Sequence, residues 1–320
     1  MARVSTSPRN RAGAAARRLL PRLAGSLLVL WGAATLAFLV LKLVPGDPVT
    51  IMLGAQSQAS DETRERIAAD LGLDEPLAAQ YLAHLSRIVR LDFGTSYRLQ
   101  RPVTEVIGAQ LPSTLVLAAC AIVIAVLIAL TIAVFARTRL SRAVASTLEL
   151  LAISSPSFWT GLLLLTLFSF TLRWFPVSGG QGLRSLVLPA LTMALPIAGL
   201  LSQLLRHGLD AANAQPFAIS VRARGLGPAE LLGRHTLRHA ALPTTTFAAY
   251  IVGAMLGGAV IVEELFGRQG IGRVALDAIT NRDLPVVMAL VFMAAAVFVV
   301  INLLVDALYP LLDPRLRGSR

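Results

Sequence analysis

The sequence predicts an all-α integral membrane protein with six transmembrane helices and with both termini in the cytoplasm. Of its 320 residues, 55% are hydrophobic and only 15% are charged, and the mean hydropathy is +0.69. This balance excludes an ordinary soluble enzyme. Six apolar runs approach the roughly 20 residues that a helix needs to cross a bilayer. Helices are expected because backbone groups in lipid must be hydrogen-bonded within the protein.

The six runs follow one another with connections of very different length. The longest connection, after the first run, is the only sizeable region outside the membrane. In chain order the runs cover about Leu23–Leu43, Leu115–Ala136, Leu148–Leu172, Leu186–Leu205, Thr246–Val262 and Pro285–Leu308.

The distribution of arginine assigns the two sides of the membrane. Seventeen arginines against three acidic residues lie in four segments, 1–22, 137–142, 206–238 and 309–320. The remaining loops are close to neutral. Cytoplasmic loops carry the excess of Lys and Arg, so these four segments are predicted to face the cytoplasm. Nucleic-acid binding finds no support, because the arginines are split among loops without interleaved aromatic residues.

These assignments divide the chain into five parts. The parts are a cytoplasmic basic tail (1–22), the first transmembrane helix (23–44), an extracytoplasmic helical module (45–110), a five-helix transmembrane core (111–308) and a cytoplasmic tail (309–320). Residues 1–18 are rich in Arg, Ala and Ser and are expected to be disordered. The core contains a long cytoplasmic loop, 206–243.

The extracytoplasmic module is predicted to contain two helices and a loop. One helix opens at Asp61 and reaches Asp70, and a second covers Leu77–Arg90, followed by a loop at Leu91–Arg98. The apolar face expected for the second helix consists of Leu77, Tyr81, Leu82, Leu85 and Val89. A module of this size has a small core, so we expect it to pack on the membrane portion. It can act as a gate, as a docking surface for a receptor or as a structural cap.

The cytoplasmic loop contains a polar, basic segment, 217–243, with the pattern helix, break, helix. Phe217–Arg224 is free of helix breakers, Gly225 and Gly227 relax the backbone, and Pro228 suits the first position of a new helix. A short amphipathic helix at the membrane surface suits docking onto a soluble partner. The alternative is a basic linker that rests on anionic lipid.

A few residues inside or beside the spans are candidates for gating or for lining a pathway. Glu149 and Asp306 are ionisable groups near the cytoplasmic ends of spans, where such groups are costly and often functional. Alternatively, they are solvated or paired with nearby arginines. Pro156 and Pro196 can kink the third and fourth spans for a moving pathway, or mark passive boundaries. Lys42 is expected to extend its ammonium group to the membrane interface.

Metal binding and phosphate binding are not predicted. The four histidines are scattered over different regions, and the single cysteine, Cys120, lies in the second span, so no metal site is expected. The chain has no GxxxxGK[ST] loop to cradle phosphates, so it should not hydrolyse ATP itself.

A series of motifs along nearly the whole chain resembles the inner-membrane permeases of ATP-binding-cassette (ABC) importers. The resemblance is to the peptide/nickel (dipeptide and oligopeptide) family, in particular to the first-permease type with a long extracytoplasmic loop after span one. The motifs are LVPGDP (43–48), LGLDEPL (71–77), QYL (80–82), LDFGTSYR (91–98), RPV (101–103), SSPSFWTGLLLL (154–165), FPVSG (175–179), ARGL (223–226), GGAVIVEELFGRQGIGR (257–273), NRDLPVV (281–287) and NLLVDALYPLLDPRLR (302–317).

The resemblance implies a type I importer permease fold in the bacterial plasma membrane. It also implies four kinds of partner: a second homologous permease, two ATPase subunits, an extracytoplasmic solute-binding protein and the lipid bilayer. This chain would bind no cofactor, since ATP and Mg would be used by the ATPases. Its cargo would be a peptide or a related small solute, such as a nickel complex, moved into the cytoplasm by alternating access.

Within the resemblance, the basic segment corresponds to the loop that engages the ATPase. Gly225 matches the fixed glycine of the family signature. Ile219, Ser220 and Val221 depart from the residues usual there, which puts any role of position 219 in doubt. The implied coupling residues are Ser220, Arg222, Ala223, Arg224, Gly225, Leu226, Gly227, Glu230, Arg234 and His235.

A self-sufficient secondary carrier or channel is the alternative function. Glu149 and Asp306 would then form an ion or proton relay. Such a carrier has no need of a docking loop with the pattern helix, break, helix, so this loop favours the importer.

Overall fold

The computed structural model describes residues 8–43, 48–53, 60–70, 72–178, 182–225, 227, 230, 236–237, 255 and 257–312. Within these ranges the regular structure is helical, apart from one isolated β-bridge between Thr95 and Pro102. The helices are α1 (Pro8–Leu43), α2 (Pro48–Leu53), α3 (Asp61–Asp70), α4 (Leu77–Val89), α5 (Val103–Phe135), α6 (Arg139–Ser154), α7 (Ser157–Leu164, continued by a π-helix, Leu165–Thr171), α8 (Leu183–Asn213), α9 (Pro216–Ala223), α10 (Ile271–Thr280) and α11 (Leu284–Leu312). Residues 257–265 are also helical.

Four of the described helices are long and apolar enough to cross a membrane. They contain the stretches Leu20–Leu43, Val103–Phe135, Leu183–Asn213 and Leu284–Leu304. These agree with the first, second, fourth and sixth predicted spans. The predicted fifth span, Thr246–Val262, lies largely outside the described residues, so the count of six remains a prediction.

The third predicted span, Leu148–Leu172, is wrong as a single helix. Its residues belong to α6 and α7, which meet at 108°. Pro156 is the cause, because its ring excludes a helical hydrogen bond and pushes the preceding residue out of the helical conformation. Ser155 is accordingly extended, with φ −81° and ψ 126°. If the bent pair forms one span, the described residues contain five.

Two helices, α1 and α5, begin earlier in the chain than the sequence predicted. The tail expected to be disordered is helical from Pro8 onwards, since its alanines and arginines are strong helix formers. The second apolar helix begins at Val103, well before Leu115. Its early turns continue through Pro112.

The first compact unit of the chain consists of Met1–Val106 and Ala278–Leu303. In this unit α4 packs on α1, which agrees with the expected packing of the module on a membrane helix. The Tyr81 hydroxyl lies 2.7 Å from Thr35 Oγ1, and the Tyr81 ring meets Phe38 edge to face at 5.4 Å. His84 Nε2 donates a hydrogen bond of 3.3 Å to the Ala34 carbonyl.

Only part of the apolar face predicted for α4 packs against α1. Tyr81 and Leu85 are half-buried, whereas Leu77, Leu82 and Val89 are exposed. The contact with α1 is made through mixed aromatic and polar side chains, which a purely hydrophobic periodicity does not detect.

The second compact unit consists of Ile107–Asp277 and Leu304–Arg320. A stripe of buried small residues at every fourth position of α5 forms one side of its core, namely Ala121, Ala125 and Ala129. Helix α8 contributes Ala194, Ala198 and Leu201 to the same core. Small residues let helix backbones approach closely, which is how helices associate in the absence of a hydrophobic driving force.

We predict that the stability of the first unit falls when the pH drops below about 6.5. Burial lowers the pKa of His84 from its ordinary 6.5, the hydrogen bond to the Ala34 carbonyl partly opposes this effect, and the charge of Arg87 adds to it. The unfolded chain therefore binds a proton at a higher pH than the folded chain, so stability is full above 6.5 and is lost as the pH falls towards the folded pKa. Thermal unfolding as a function of pH measures this effect. His84→Gln should flatten the pH profile, and an unchanged slope in that variant would contradict the assignment.

Candidate functional site

The basic segment of the cytoplasmic loop begins with the short helix α9. Helix α8 ends at Asn213, and α9 starts three residues later at Pro216. Inside α9 the Ser220 hydroxyl donates to the Pro216 carbonyl at 3.1 Å, and Ala218 is fully buried. The first helix of the predicted pattern is thus confirmed.

A left-handed turn ends α9. The backbone N–H of Arg224 donates to the carbonyls of Ser220 and Val221, and Gly225 follows with φ +84°. A Cβ atom at position 225 would meet nothing within 4 Å, so it is the backbone angle, and not the space, that favours glycine there. Ala223, Arg224, Gly227 and Glu230 are exposed.

Several other predicted coupling residues lie beyond the part of the chain that the structure describes. Leu226, Arg234 and His235 fall there, together with most of the second predicted helix. Arg222 belongs to α9 by its backbone, but its side chain is not described.

Glu149 forms the core of a buried polar cluster between α6 and α8. Its side chain is 1% exposed, and its carboxylate accepts hydrogen bonds from the Arg206 guanidinium and from Ser202 Oγ at 2.7 Å. Arg206 also donates to Ser146 Oγ at 3.0 Å. Glu149 is therefore paired with an arginine, one of the two alternatives considered for it. A buried charge that is paired and hydrogen-bonded avoids most of the cost of desolvation.

The backbones of α6 and α8 approach closely beside this pair. A Cβ atom at Gly199 would lie 2.9 Å from the Glu149 carbonyl and 3.1 Å from the Ile153 side chain. Only glycine fits this crossing. The same two helices are joined at the surface by a second ion pair, Arg142–Asp210 at 3.1 Å, whose side chains are 51% and 53% exposed.

The remaining candidates for gating lie in different helices or at breaks between them. Pro156 interrupts the helix between α6 and α7, whereas Pro196 lies inside α8, which continues past it. Asp306 lies in α11 by its backbone, and its side chain is not described.

Sequence reasoning missed a second buried carboxylate, Glu263. This side chain is 0% exposed and accepts from Thr114 Oγ1 at 2.6 Å and from the Gly272 backbone N–H at 2.8 Å. Thr114 Oγ1 in turn accepts from the Ile271 N–H at 2.8 Å. The Glu263 carboxylate thus accepts hydrogen bonds from backbone N–H groups in the first turn of α10, where a negative charge is favoured.

Two glycines make room for this carboxylate. A Cβ atom at Gly270 would overlap with the Glu263 carboxylate, and one at Gly272 would overlap with the Val260 backbone. The signal in the sequence was the motif GGAVIVEELFGRQGIGR, in which glycines follow a glutamate pair. Only the structure identifies Glu263 as the buried member, because Glu264 is exposed.

A third buried carboxylate, Asp283, was also missed, and it lies in the first unit. Its oxygens accept from Ser96 Oγ, from the Tyr97 N–H at 3.1 Å and from the Arg98 N–H at 3.4 Å. Burial and the Asp283 charge raise the pKa of the Tyr97 phenol. Asp283 thereby connects the motif LDFGTSYR to the motif NRDLPVV, 187 residues away along the chain.

Nothing in the described part of the chain suggests a metal centre. Among these residues, no group of three or more His, Cys, Asp or Glu is arranged to hold a metal ion.

Comparison with known proteins gives matches along almost the whole chain. Residues 121–318 match the family described as binding-protein-dependent transport system inner membrane component, and residues 15–118 match the description of its N-terminal region. The chain is similar to a protein of Brucella abortus (strain 2308) named as a peptide transport system permease, with 37% identity over 310 residues, 93% of this chain and 98% of the relative.

A further relative and one solved structure are also similar. The glutathione transport system permease protein of Salmonella choleraesuis is 33% identical over 302 residues, which are 93% of this chain and 98% of that protein. The crystal structure of an amino acid ABC transporter with histidines has 21% identity and a TM-score of 0.48, covering 66% of this chain and 94% of that one.

We predict that Arg206→Ala strongly destabilises the second unit. It leaves the Glu149 carboxylate buried without its cation, which costs about 3–5 kcal/mol in the free energy of unfolding. Arg142→Ala is the matched control, because it breaks an exposed pair between the same helices worth about 0–1 kcal/mol. Thermal unfolding of the purified chains measures both. Equal shifts in the two variants would contradict the assigned role of Arg206.

A second prediction concerns the space around Glu263. Gly270→Ala should destabilise the protein by about 1–3 kcal/mol, because the new methyl group displaces a hydrogen-bonded buried carboxylate. The same substitution should cost less in a Glu263→Ala background, where the carboxylate is gone. Gly258→Ala serves as the control, since nothing lies within 4 Å of that position. Additive effects of the two alanines would show that Gly270 acts independently of Glu263.

Proposed function

The chain belongs to the family of inner membrane components of binding-protein-dependent transport systems, and from this premise we propose that it moves peptides into the cytoplasm. Its membership makes it a multi-pass permease subunit of an ABC importer and not the catalytic subunit. The cargo is proposed as a peptide or a related small solute, such as glutathione or a nickel complex. The names of two relatives, which concern peptide and glutathione transport, support this class of cargo.

The single observation that carries the coupling mechanism is the short helix and turn at residues 216–225, whose C-terminal end is exposed. This segment follows directly on α8, whose apolar stretch is 61% buried. A surface element that continues from a buried helix is suited to transmit a movement into the membrane region. We call residues 216–225 the coupling segment.

Membership in a binding-protein-dependent transport family supports the proposed partners. A second, homologous permease would complete the pathway, and two ATPase subunits would bind the coupling segments of both permeases. ATP and Mg would be used by those ATPases. An extracytoplasmic solute-binding protein would deliver the cargo to the other side. The type I importer fold with six helices, and the cytoplasmic position of both termini and of the coupling segment, form part of the same proposal, supported by the excess of arginine in these segments.

Transport would proceed by alternating access. Closure of the two ATPases on ATP would move the coupling segments, and the helices attached to them would rock between inward-open and outward-open states. In this scheme Arg224 is exposed next to the turn and is available to a partner surface, while Gly225 gives the turn its left-handed angle.

A secondary carrier or channel is less well supported by the geometry. Such a function would use Glu149 and Asp306 as an ion or proton relay. The Glu149 carboxylate is already engaged by the Arg206 guanidinium and by the Ser202 hydroxyl, so it is not an open site for a transported ion.

We predict that Gly225→Val uncouples transport, whereas Gly225→Asn retains more of it. Valine is strained at φ +84°, but asparagine tolerates the left-handed region. Both variants should insert normally, because no atom crowds position 225. The measurements are peptide uptake and cargo-stimulated ATP hydrolysis in the reconstituted complex. Wild-type uptake by Gly225→Val would refute the role of the turn.

Charge reversal tests the surface next to that turn. Arg224→Glu should lower both uptake and cargo-stimulated ATP hydrolysis, because a partner surface that accepts a cation rejects an anion. The control is Arg139→Glu, which changes the same charge at the start of α6, outside the coupling segment. Equal losses in the two variants would assign the effect to overall charge and would exclude a specific contact at Arg224.

A further inference from the structure

The first unit contains a half-open cavity that the proposed transport mechanism does not use. Its volume is about 340 Å³, which falls in the lower part of the range typical of ligand pockets, about 300–1,000 Å³. The walls come from the C-terminal part of α1, the turn 72–75, helix α4, the loop 93–97 and the first turns of α11.

Hydrogen bonds connect the walls of this cavity. The Gln80 side chain donates to the carbonyls of Leu73 at 3.0 Å and Glu75 at 2.7 Å, and it accepts from the Lys42 ammonium. Gln80 therefore joins α4, the preceding turn and α1. Asp283, just before α11, holds the loop 93–97 by accepting a hydrogen bond from the N–H of Tyr97. A cavity with such connected walls is largely formed before any ligand arrives.

The polar lining carries a cation that lacks a partner. Three charged groups line the cavity: Lys42, Arg87 and Glu75. The Lys42 ammonium is already bound to Gln80 and lies 5.7 Å from the centre of the Phe38 ring. Among the described residues, no hydrogen bond or ion pair engages the Arg87 guanidinium.

The charge of Arg87 acts on two side chains of the cavity lining, His84 and Tyr97. It adds to the effect of burial in lowering the pKa of His84. At Tyr97 it opposes the effect of burial and of Asp283, which together raise the pKa of the phenol. Arg87 is thus close to two cavity walls at once, although its side chain is exposed.

The remaining lining is mainly apolar. Phe38, Leu41, Phe93 and Met288 contribute side chains from α1, the loop and α11. A ligand that matches this surface has an apolar body and one anionic group. Pockets of this composition use the apolar lining for affinity and a few polar groups for orientation.

We propose that this cavity binds a small soluble carboxylate with an apolar body, and that Arg87 holds the carboxylate. Arginine suits this role because its planar guanidinium can form two parallel hydrogen bonds to a carboxylate. A soluble compound is favoured over a phospholipid, since a diacyl lipid is larger than the cavity and most of the walls belong to segments outside the candidate spans. The inference concerns this chain alone and does not depend on the proposed transport function.

The test compares two probes that differ only in charge. N-acetylphenylalanine carries a carboxylate, and N-acetylphenylalanine amide has the same body without it. Titration calorimetry of each probe into the full-length chain, held in phosphatidylcholine nanodiscs, measures affinity. The acid should bind saturably. The affinity for the amide should be at least about tenfold lower, since a charge-assisted hydrogen bond is lost.

Variants locate the binding. Arg87→Gln should weaken binding of the acid about tenfold and leave binding of the amide unchanged. Arg90→Gln is the matched control, because Arg90 is exposed at the same helix end but does not line the cavity. Ala83→Phe fills the cavity and should abolish binding of both probes. Thermal unfolding verifies that each variant is folded.

Three outcomes would overturn the proposal. Equal affinities for the acid and the amide would exclude an anion site, and unchanged binding in Arg87→Gln would exclude Arg87. Loss of acid binding when phosphatidylglycerol replaces part of the phosphatidylcholine would show that a lipid headgroup occupies the cavity instead of a soluble carboxylate.

Discussion

The ion pair between Glu149 and Arg206 is the interaction on which the packing of α6 against α8 depends. A carboxylate buried among apolar helices must find donors, and those donors come from the opposite helix. The pair therefore fixes both the rotation of α6 and the register of α8. Gly199 completes the arrangement, because the backbones approach so closely beside the pair that no larger residue fits.

The same requirement explains the other two buried acids. Glu263 takes its donors from Thr114 and from the start of α10, and Asp283 takes its donors from the loop at Ser96 and Tyr97. Each carboxylate thus connects segments that are distant along the chain. In lipid, where hydrophobic burial does not distinguish one helix contact from another, hydrogen bonds and close packing decide which helices meet.

The long apolar helices could be predicted because membrane crossing depends on local hydrophobicity alone. The buried acids could not, since their partners are not local: Thr114 is 149 residues from Glu263 and Ser96 is 187 residues from Asp283. Pro156 was identified as a possible site of bending, but the presence of a proline does not determine the angle of 108°. The sequence pattern correctly predicted that the helix α9 ends at Gly225. By contrast, Gly270 leaves space for the Glu263 carboxylate, and the sequence does not reveal that this carboxylate is its neighbour.

The position of Arg206 relates the buried pair to the proposed coupling segment. Arg206 precedes the end of α8 at Asn213 by about two helical turns, and α9 begins three residues further on. A displacement of α9 would therefore act first on the end of α8. Because Arg206 holds Glu149, α6 would have to follow α8 or the pair would separate. Separation would leave two charges without partners at a cost of several kcal/mol, so α6 and α8 are expected to move as one body during transport.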